Sequence, residues 1–311
     1  MKPIIEPVAK NILVSELSAD KFIRETNNGD NLIYIITHHD SPNVMKEIAR
    51  LREHTFRTAG GGTGEEIDID EFDTADAPYK QLIVWNAIEK EIVGGYRYIK
   101  LKDAPVINGV VHVATTELFN FSADFVKIYV PETIELGRSF VQPKYQPSID
   151  NRKGLFSLDN LWDGLGAIVV DNPDVKHFYG KVTMYTDFNI HARDYILSFM
   201  NYFFPDNEKL VYPMEPLGFK TDTSEFLKVI NGMSYKDAHR VLGQFVREKG
   251  EHIPPLVNAY MNLSATMKMF GTAMNSHFGE VEETGILVTI ADIYDTKKER
   301  HINTYTPTNY E

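Results

Sequence analysis

No cysteine occurs among the 311 residues, so disulfides and thiol catalysis are excluded, and a metal site would have to come from His, Asp and Glu alone. The ten histidines show no HExxH spacing; His38-His39 is an isolated pair that reads as a strand end, and no metal is expected. Long apolar runs are missing too: none approaches the roughly 20 residues a membrane helix needs. The start, Met1-Lys2-Pro3-Ile4-Ile5-Glu6-Pro7, is broken by proline and acid where a secretory signal carries a continuous apolar core, so a cytoplasmic protein is expected. Basic residues are outnumbered 32 to 44, and the net charge of −12 disfavours duplex nucleic acid as a partner. A small basic docking patch is compatible with that balance, with Lys144, Arg152, Lys153, Lys176, His177 and Lys181 as its candidates. No Gly-x-Ser-x-Gly elbow exists to support a hydrolase triad.

What is present reads as strands alternating with helices. Residues 31–37 are rich in β-branched and aromatic side chains and predict a strand. Ser41-Pro42 then supplies an N-cap and a first-turn proline ahead of Val44, Ile48 and Leu51 at helical spacing. Gly60-Gly61-Gly62 should end that helix, since each glycine costs roughly 1 kcal/mol relative to alanine. These glycines read as a loop and not as a phosphate cradle, because the P-loop lysine is absent and a helix, not a strand, precedes them. In the acidic segment 65–73, strand alternation would place Asp68 and Asp70 on one face.

A hairpin follows over 81–86 and 92–101, turning around Glu89-Lys90. Leu155, Leu158, Leu161, Trp162, Leu165 and Ile168 fall on one helical face up to about Val170. The loop before it, Asn151-Arg152-Lys153-Gly154-Leu155, leads into a helix N-terminus of the kind that suits a phosphate. A strand is expected over 177–185 and a helix over 190–204. Helical patterns at 235–249 and 255–270 predict a helical insertion over 206–280, and 285–293 closes the fold as a strand. Without repeats, low-complexity tracts or a clear linker, a single domain over 1–311 is the simplest account.

The most informative stretch is Ile134-Glu135-Leu136-Gly137-Arg138-Ser139-Phe140-Val141-Gln142-Pro143. In a regular strand Glu135 and Arg138 would face opposite sides; a bulge at Gly137 would bring them to one. A glutamate desolvated in such a strand gains a pKa useful for a general base, and the arginine can orient it or hold an anion.

With Glu135-Leu136-Gly137-Arg138-Ser139 in view, the chain resembles the GNAT-like N-acyltransferases that include bacterial ornithine and glycine lipid synthases, often called hemolysin-like. It is more distantly similar to the acyl-homoserine-lactone synthases. The likeness runs from about residue 32 to 204, and residues 253–260 resemble a C-terminal segment of the lipid synthases. The resemblance implies an α/β (α+β) GNAT-like acyl-CoA N-acyltransferase fold: a mixed, curved sheet flanked by helices, splayed between strands 134–141 and 178–186 to admit the pantetheine arm of a thioester. It also implies substrate-binding roles for Arg52 and Phe56 on the early helix, Asp68, Asp70 and Asp73 in the acidic series, Arg97 on the returning hairpin strand, and Arg138. Arg97 and Arg138 either bind the acceptor carboxylate or pair with those aspartates. Glu135 would be the base. Backbone N–H groups near Phe140 and Val141 would polarise the thioester carbonyl, and Arg152, Lys153 and Gly154 would hold the donor.

The implied reaction moves a long acyl chain, with 3-hydroxylation as one variant, from acyl carrier protein or acyl-CoA to the amine of a small amino acid such as glycine or ornithine, for aminolipid synthesis. No permanently bound cofactor is implied. The tryptophan that homoserine-lactone synthases carry before the acidic series is missing, which points away from a quorum signal. The second glycine of the usual phosphate loop is missing as well, since Gly154 is followed by Leu155, Phe156 and Ser157, which favours acyl carrier protein over coenzyme A. Lysolipid O-acylation, acetylation of a small amine, and a non-catalytic lipid-binding or membrane-interaction module are the alternatives. A lipid product would also give a cytoplasmic protein reason for a peripheral contact with the inner membrane.

Overall fold

The computed structural model describes residues 1–146, 154 and 156–307, so the expected donor residues Arg152 and Lys153 lie outside the described residues. The chain begins with α1 (Lys10–Glu16), β1 (Phe22–Glu25), β2 (Leu32–Ile36), α2 (Pro42–Thr58) and the one-turn α3 (Glu71–Thr74). β3 (Lys80–Asn86) and β4 (Glu91–Lys100) form the expected hairpin, with Lys90 at positive φ in its turn. A small hairpin, β5 (Val106–Ile107) and β6 (Val110–Val111), and β7 (Phe119–Phe121) lead to β8 (Thr133–Val141), α4 (Ser157–Asp171) and β9 (His177–Met184). The remainder is α5 (Ile190–Phe203), β10 (Val211–Pro213), α6 (Ser224–Ile230), α7 (Tyr235–Arg247), α8 (Pro255–Met261), β11 (Lys268–Asn275), β12 (Val281–Thr289) and α9 (Asp295–His301).

Eight strands form one sheet in the order β1-β2-β3-β4-β8-β9-β12-β11, antiparallel except for the central pair β8–β9. That parallel pair is joined by the crossover helix α4, as parallel neighbours require. Alternation sorts the strand residues between layers. Ile33, Leu82, Val84, Leu136, Phe178 and Ile286 pack toward α4, α5, α7 and α8 on one face. Tyr34, Ile36, Ile83 and Trp85 pack under α2 on the other face, while Tyr179 and Leu287 on that same side meet the segment around Phe119 and Phe125.

β8 and β9 pair only from Thr133↔His177 to Leu136↔Gly180 and then separate, which is the expected splay. Gly180 allows the last close approach, since a Cβ there would sit 2.6 Å from the Leu136 carbonyl oxygen. Three local expectations need correction. Ser41 does not cap α2 with its side chain; the Glu16 carboxylate of α1 instead accepts from Asn43 N at 2.9 Å and Val44 N at 2.8 Å, where the helix dipole favours an anion. The helix expected over 255–270 stops at Met261, and 268–275 is the edge strand β11, formed by pairing with β12. Residues 206–280 thus hold α6, α7 and α8 together with strands β10 and β11.

The described lysines of the basic patch do not assemble either. Lys176 pairs with Glu132 and Lys144 with Glu91 at opposite ends of the parallel β8–β9 pair, and Lys181 turns inward to Glu283. Among the described residues no helix is long and apolar enough to cross a membrane.

Candidate active site

The β4–β8 ladder is regular up to Arg97↔Gly137 and resumes at Gly95↔Phe140, so Tyr96 alone faces Arg138 and Ser139. The bulge therefore falls one residue later than expected, and Arg138, not Gly137, takes the positive φ of 49°. An arginine persists in that conformation because its surroundings over-determine it. Its Nε meets Asp68 at 2.9 Å, Nη2 lies 3.8 Å from Asp70, and the guanidinium stacks 4.2 Å over the Phe278 ring.

These contacts belong to a closed cycle. Arg52 of α2 binds Asp68 and Asp73, each at 3.0 Å, and Arg97 of β4 binds Asp70 at 2.7 Å and Asp73 at 3.3 Å. Arg138 joins Asp68 to Asp70, so each arginine touches two aspartates and each aspartate two arginines. The expected strand alternation does not bring Asp68 and Asp70 together; 67–70 is irregular, and Asp70 caps α3 in a reciprocal box with Asp73. Burial alone would raise the Asp68 and Asp73 carboxyls, but the guanidiniums of Arg138 and Arg52 outweigh it at Asp68, and those of Arg52 and Arg97 at Asp73, holding both below their usual range. Of the two functions left open for Arg97 and Arg138, pairing with the aspartates is the one this geometry displays.

Glu135 sits beside the cycle on the same sheet face as Arg97, because Gly137, two residues on, is the register partner of Arg97. It is 1% exposed. Tyr79 donates its hydroxyl to Oε2 at 2.9 Å, and the Thr115 N–H donates to Oε1 at 3.0 Å. Burial lifts the carboxyl from 4.5 to about 7, against the opposing pull of Lys181, Tyr79, Arg97 and the Thr115 N–H. Lys181 in turn pairs with Glu283 of β12 at 2.7 Å, and Asn275 donates to the same carboxylate at 3.2 Å. Burial would raise Glu283, but Lys181 foremost holds it below its usual value.

A cleft runs through the splay. On one face its wall is polar, with Glu135, Arg97, Arg138, Lys181 and Glu283; on the other it is lined by Leu136, Phe178, Ile286, Val288, Leu256 and Tyr260. Phe56 closes one side, edge-on to Phe278 at 5.0 Å. Leu256 and Tyr260 come from α8, inside the 253–260 stretch. Gln142 N donates to Val93 O, so strand alternation turns Phe140 toward β4 as well and Val141 away from it, into the gap. The Val141 carbonyl accordingly accepts from Gln146 Nε2 at 2.8 Å, outside the ladder. Gly154 packs against the Tyr145 and Gln146 backbone, where a Cβ would lie 2.5 Å from the Tyr145 carbonyl oxygen.

The structure thus brings Glu135, Arg52, Asp68, Asp70, Asp73, Arg97, Arg138 and Phe56 into one neighbourhood. It adds Tyr79, Thr115, Tyr179 and Glu283, which the sequence reading missed, and gives Lys181 a different setting. One signal was present for Glu283: Glu282-Glu283 interrupts an otherwise apolar strand just before Gly285, where the expected strand was started too late. Tyr79 carries no local signal, since it follows Pro78 outside the β3 alternation.

A mixed sheet splayed at its parallel pair, with a buried carboxyl of raised pKa at the opening, defines an acyl-transfer enzyme of the GNAT fold, and residues 51–149 match the Acetyltransferase (GNAT) domain. The chain is 53% identical over 306 residues to the glycine N(alpha)-acyltransferase of Bacteroides thetaiotaomicron, spanning 98% of this chain and 91% of that one. It is also 53% identical over 307 residues to the protein of the same name from Phocaeicola vulgatus, spanning 98% and 94%. The chain belongs to the family of these GNAT acyltransferases. Among solved structures, a CoA-dependent acyl-homoserine lactone synthase superposes over 88% of this chain and 89% of its own, with a TM-score of 0.42 and 13% identity. An N-acyl amino acid synthase from uncultured soil microbes does so over 88% and 95%, with a TM-score of 0.38 and 9% identity.

Proposed function

We propose that this enzyme transfers a long acyl chain from a thioester to the amine of glycine, with Glu135 as the base. The observation that carries the reading is a buried carboxyl lifted to about 7 at the centre of a cleft that is polar on one sheet face and apolar on the other. A base of that pKa is matched to neutral pH. The name shared by the relatives at 53% identity supports glycine over ornithine as acceptor.

In this mechanism the acceptor ammonium gives one proton to the Glu135 carboxylate, directly or through water. The neutral amine then attacks the thioester carbonyl carbon. The Val141 N–H, turned into the gap, meets the developing oxyanion, while that of Phe140 stays in the ladder. Collapse forms the amide and breaks the C–S bond, and the second proton lost by nitrogen reaches the departing sulfur as thiol. Arg97 and Arg138 line the polar wall and stabilise charge there, with Arg52, Asp68, Asp70 and Asp73 holding them; Phe56 shapes the opening. The acyl chain lies along Leu136, Phe178, Leu256 and Ile286. Acyl carrier protein is the preferred donor, with Arg152, Lys153 and Gly154 beside its phosphopantetheine. The product, an acyl-glycine that is 3-hydroxylated or plain according to the donor, partitions into lipid, which gives reason for a peripheral contact with the inner membrane.

The test supplies labelled glycine or ornithine with acyl carrier protein thioesters and with acyl-CoA, 3-hydroxylated and plain. Acyl-glycine is the expected product. Glu135→Gln should lower kcat about 10²- to 10⁴-fold with an unchanged circular dichroism spectrum; full activity of that variant would overturn the assignment.

A further inference from the structure

Strand β9 places two more polar groups on the Glu135 face. Glu135 is the register partner of Tyr179, and Lys181 lies two residues further along the same face. The Lys181 side chain is 11% exposed; its ammonium has three N–H groups, and its contacts are Glu283 at 2.7 Å and the Ala114 carbonyl at a long 3.4 Å. It therefore keeps donor capacity toward the cleft it lines. The Tyr179 hydroxyl is buried with that of Thr115 as its side-chain hydrogen-bond neighbour, and neither hydroxyl has a further partner among the described residues. Buried hydroxyls in that condition are rare because they are costly, and a ligand's polar group relieves them. Behind Tyr179 the space is closed by aromatic rings, with Phe121, Phe125 and Phe270 at 5.5, 5.6 and 5.9 Å. The three arginines nearby are already balanced by three aspartates, so Lys181 is the cation that stands outside that cycle.

We infer that Lys181 and Tyr179 form the carboxylate subsite of the acceptor, a function that rests on the glycine-acceptor reading above. The acceptor carboxylate takes hydrogen bonds from the Lys181 ammonium and the Tyr179 hydroxyl while its amine faces Glu135. Glu283, tied to Asn275, is a positioning residue that aims Lys181.

The experiment compares wild type, Tyr179→Phe, Lys181→Gln and the charge-balanced Lys181→Gln/Glu283→Gln, using glycine and, as an acceptor without a carboxylate, glycinamide. The KM for glycine should rise about 10- to 100-fold on loss of Lys181 and about 5- to 10-fold in Tyr179→Phe, with the donor KM unchanged. Loss of Lys181 also removes a charge that lowers Glu135, so the readout is the ratio: kcat/KM should fall at least about 5-fold more for glycine than for glycinamide in each variant. Tyr179→Phe removes only a hydroxyl whose protein neighbour is that of Thr115, so it decides the matter should the lysine variants unfold, as their thermal midpoints would reveal. An unchanged glycine KM, or equal losses toward glycine and glycinamide, overturns the subsite while acyl-glycine formation by wild type stands. Wild type that acylates no glycine with either donor overturns the acceptor reading and the subsite with it.

Discussion

At the scale of single residues, Glu135 couples chemistry to stability. Its folded pKa of about 7 lies above the usual 4.5, so folding takes up a proton between those values and the ionised form is the disfavoured one. The cost is absent below about pH 4, grows as pH rises toward 7, and levels off at about 3 kcal/mol above it. Relative to wild type, Glu135→Gln should therefore gain about 3 kcal/mol between pH 4 and pH 8, measured by urea denaturation at both values. A difference that stays constant with pH would mean that the carboxyl ionises normally. The same pKa predicts that kcat/KM climbs with pH through a midpoint near 7 in wild type, a limb that Glu135→Gln should lose.

At the scale of elements, the arginine–aspartate cycle fastens α2, the 67–73 segment, β4 and β8 to one another. Its members differ in burial, which ranks the consequences of cutting it. Asp73→Asn leaves Arg52 and Arg97 facing a buried gap in charge and should cost about 3–5 kcal/mol of unfolding free energy. Asp70→Asn should cost about 1–2 kcal/mol, because the Asp70 side chain is 28% exposed and water replaces part of the interaction. Equal losses in chemical denaturation would contradict the ranking. The elements themselves were largely legible: β2, α2, the β3–β4 hairpin, β8, α4 and α5 each carry a local period or a local stop signal. The bulge was placed at Gly137 because glycine tolerates positive φ, whereas distant carboxylates of 68 and 70 hold Arg138 there instead. The edge strand β11 was read as helix because its identity comes from pairing with β12, which no local window contains.

For the whole molecule, the site draws on residues from Arg52 to Glu283, and the ordered resemblance located Glu135 and the charged cycle but not their partners. Tyr179 and Glu283 became visible only when strand register set them on one face, and Tyr79 only through its hydrogen bond to Glu135. The α8 segment completes the apolar wall from far along the chain, so Leu256→Trp should shorten the accepted acyl chain. Competition between sixteen- and eight-carbon donors should then shift at least about 10-fold toward the shorter one, and an unchanged ratio would remove the chain from that wall. The cleft passes through the sheet instead of resting on it. In the acyl-transfer reading proposed above, an acyl-amide made there is threaded, its head on one face and its tail on the other, so it leaves lengthwise and unloading comes before reloading.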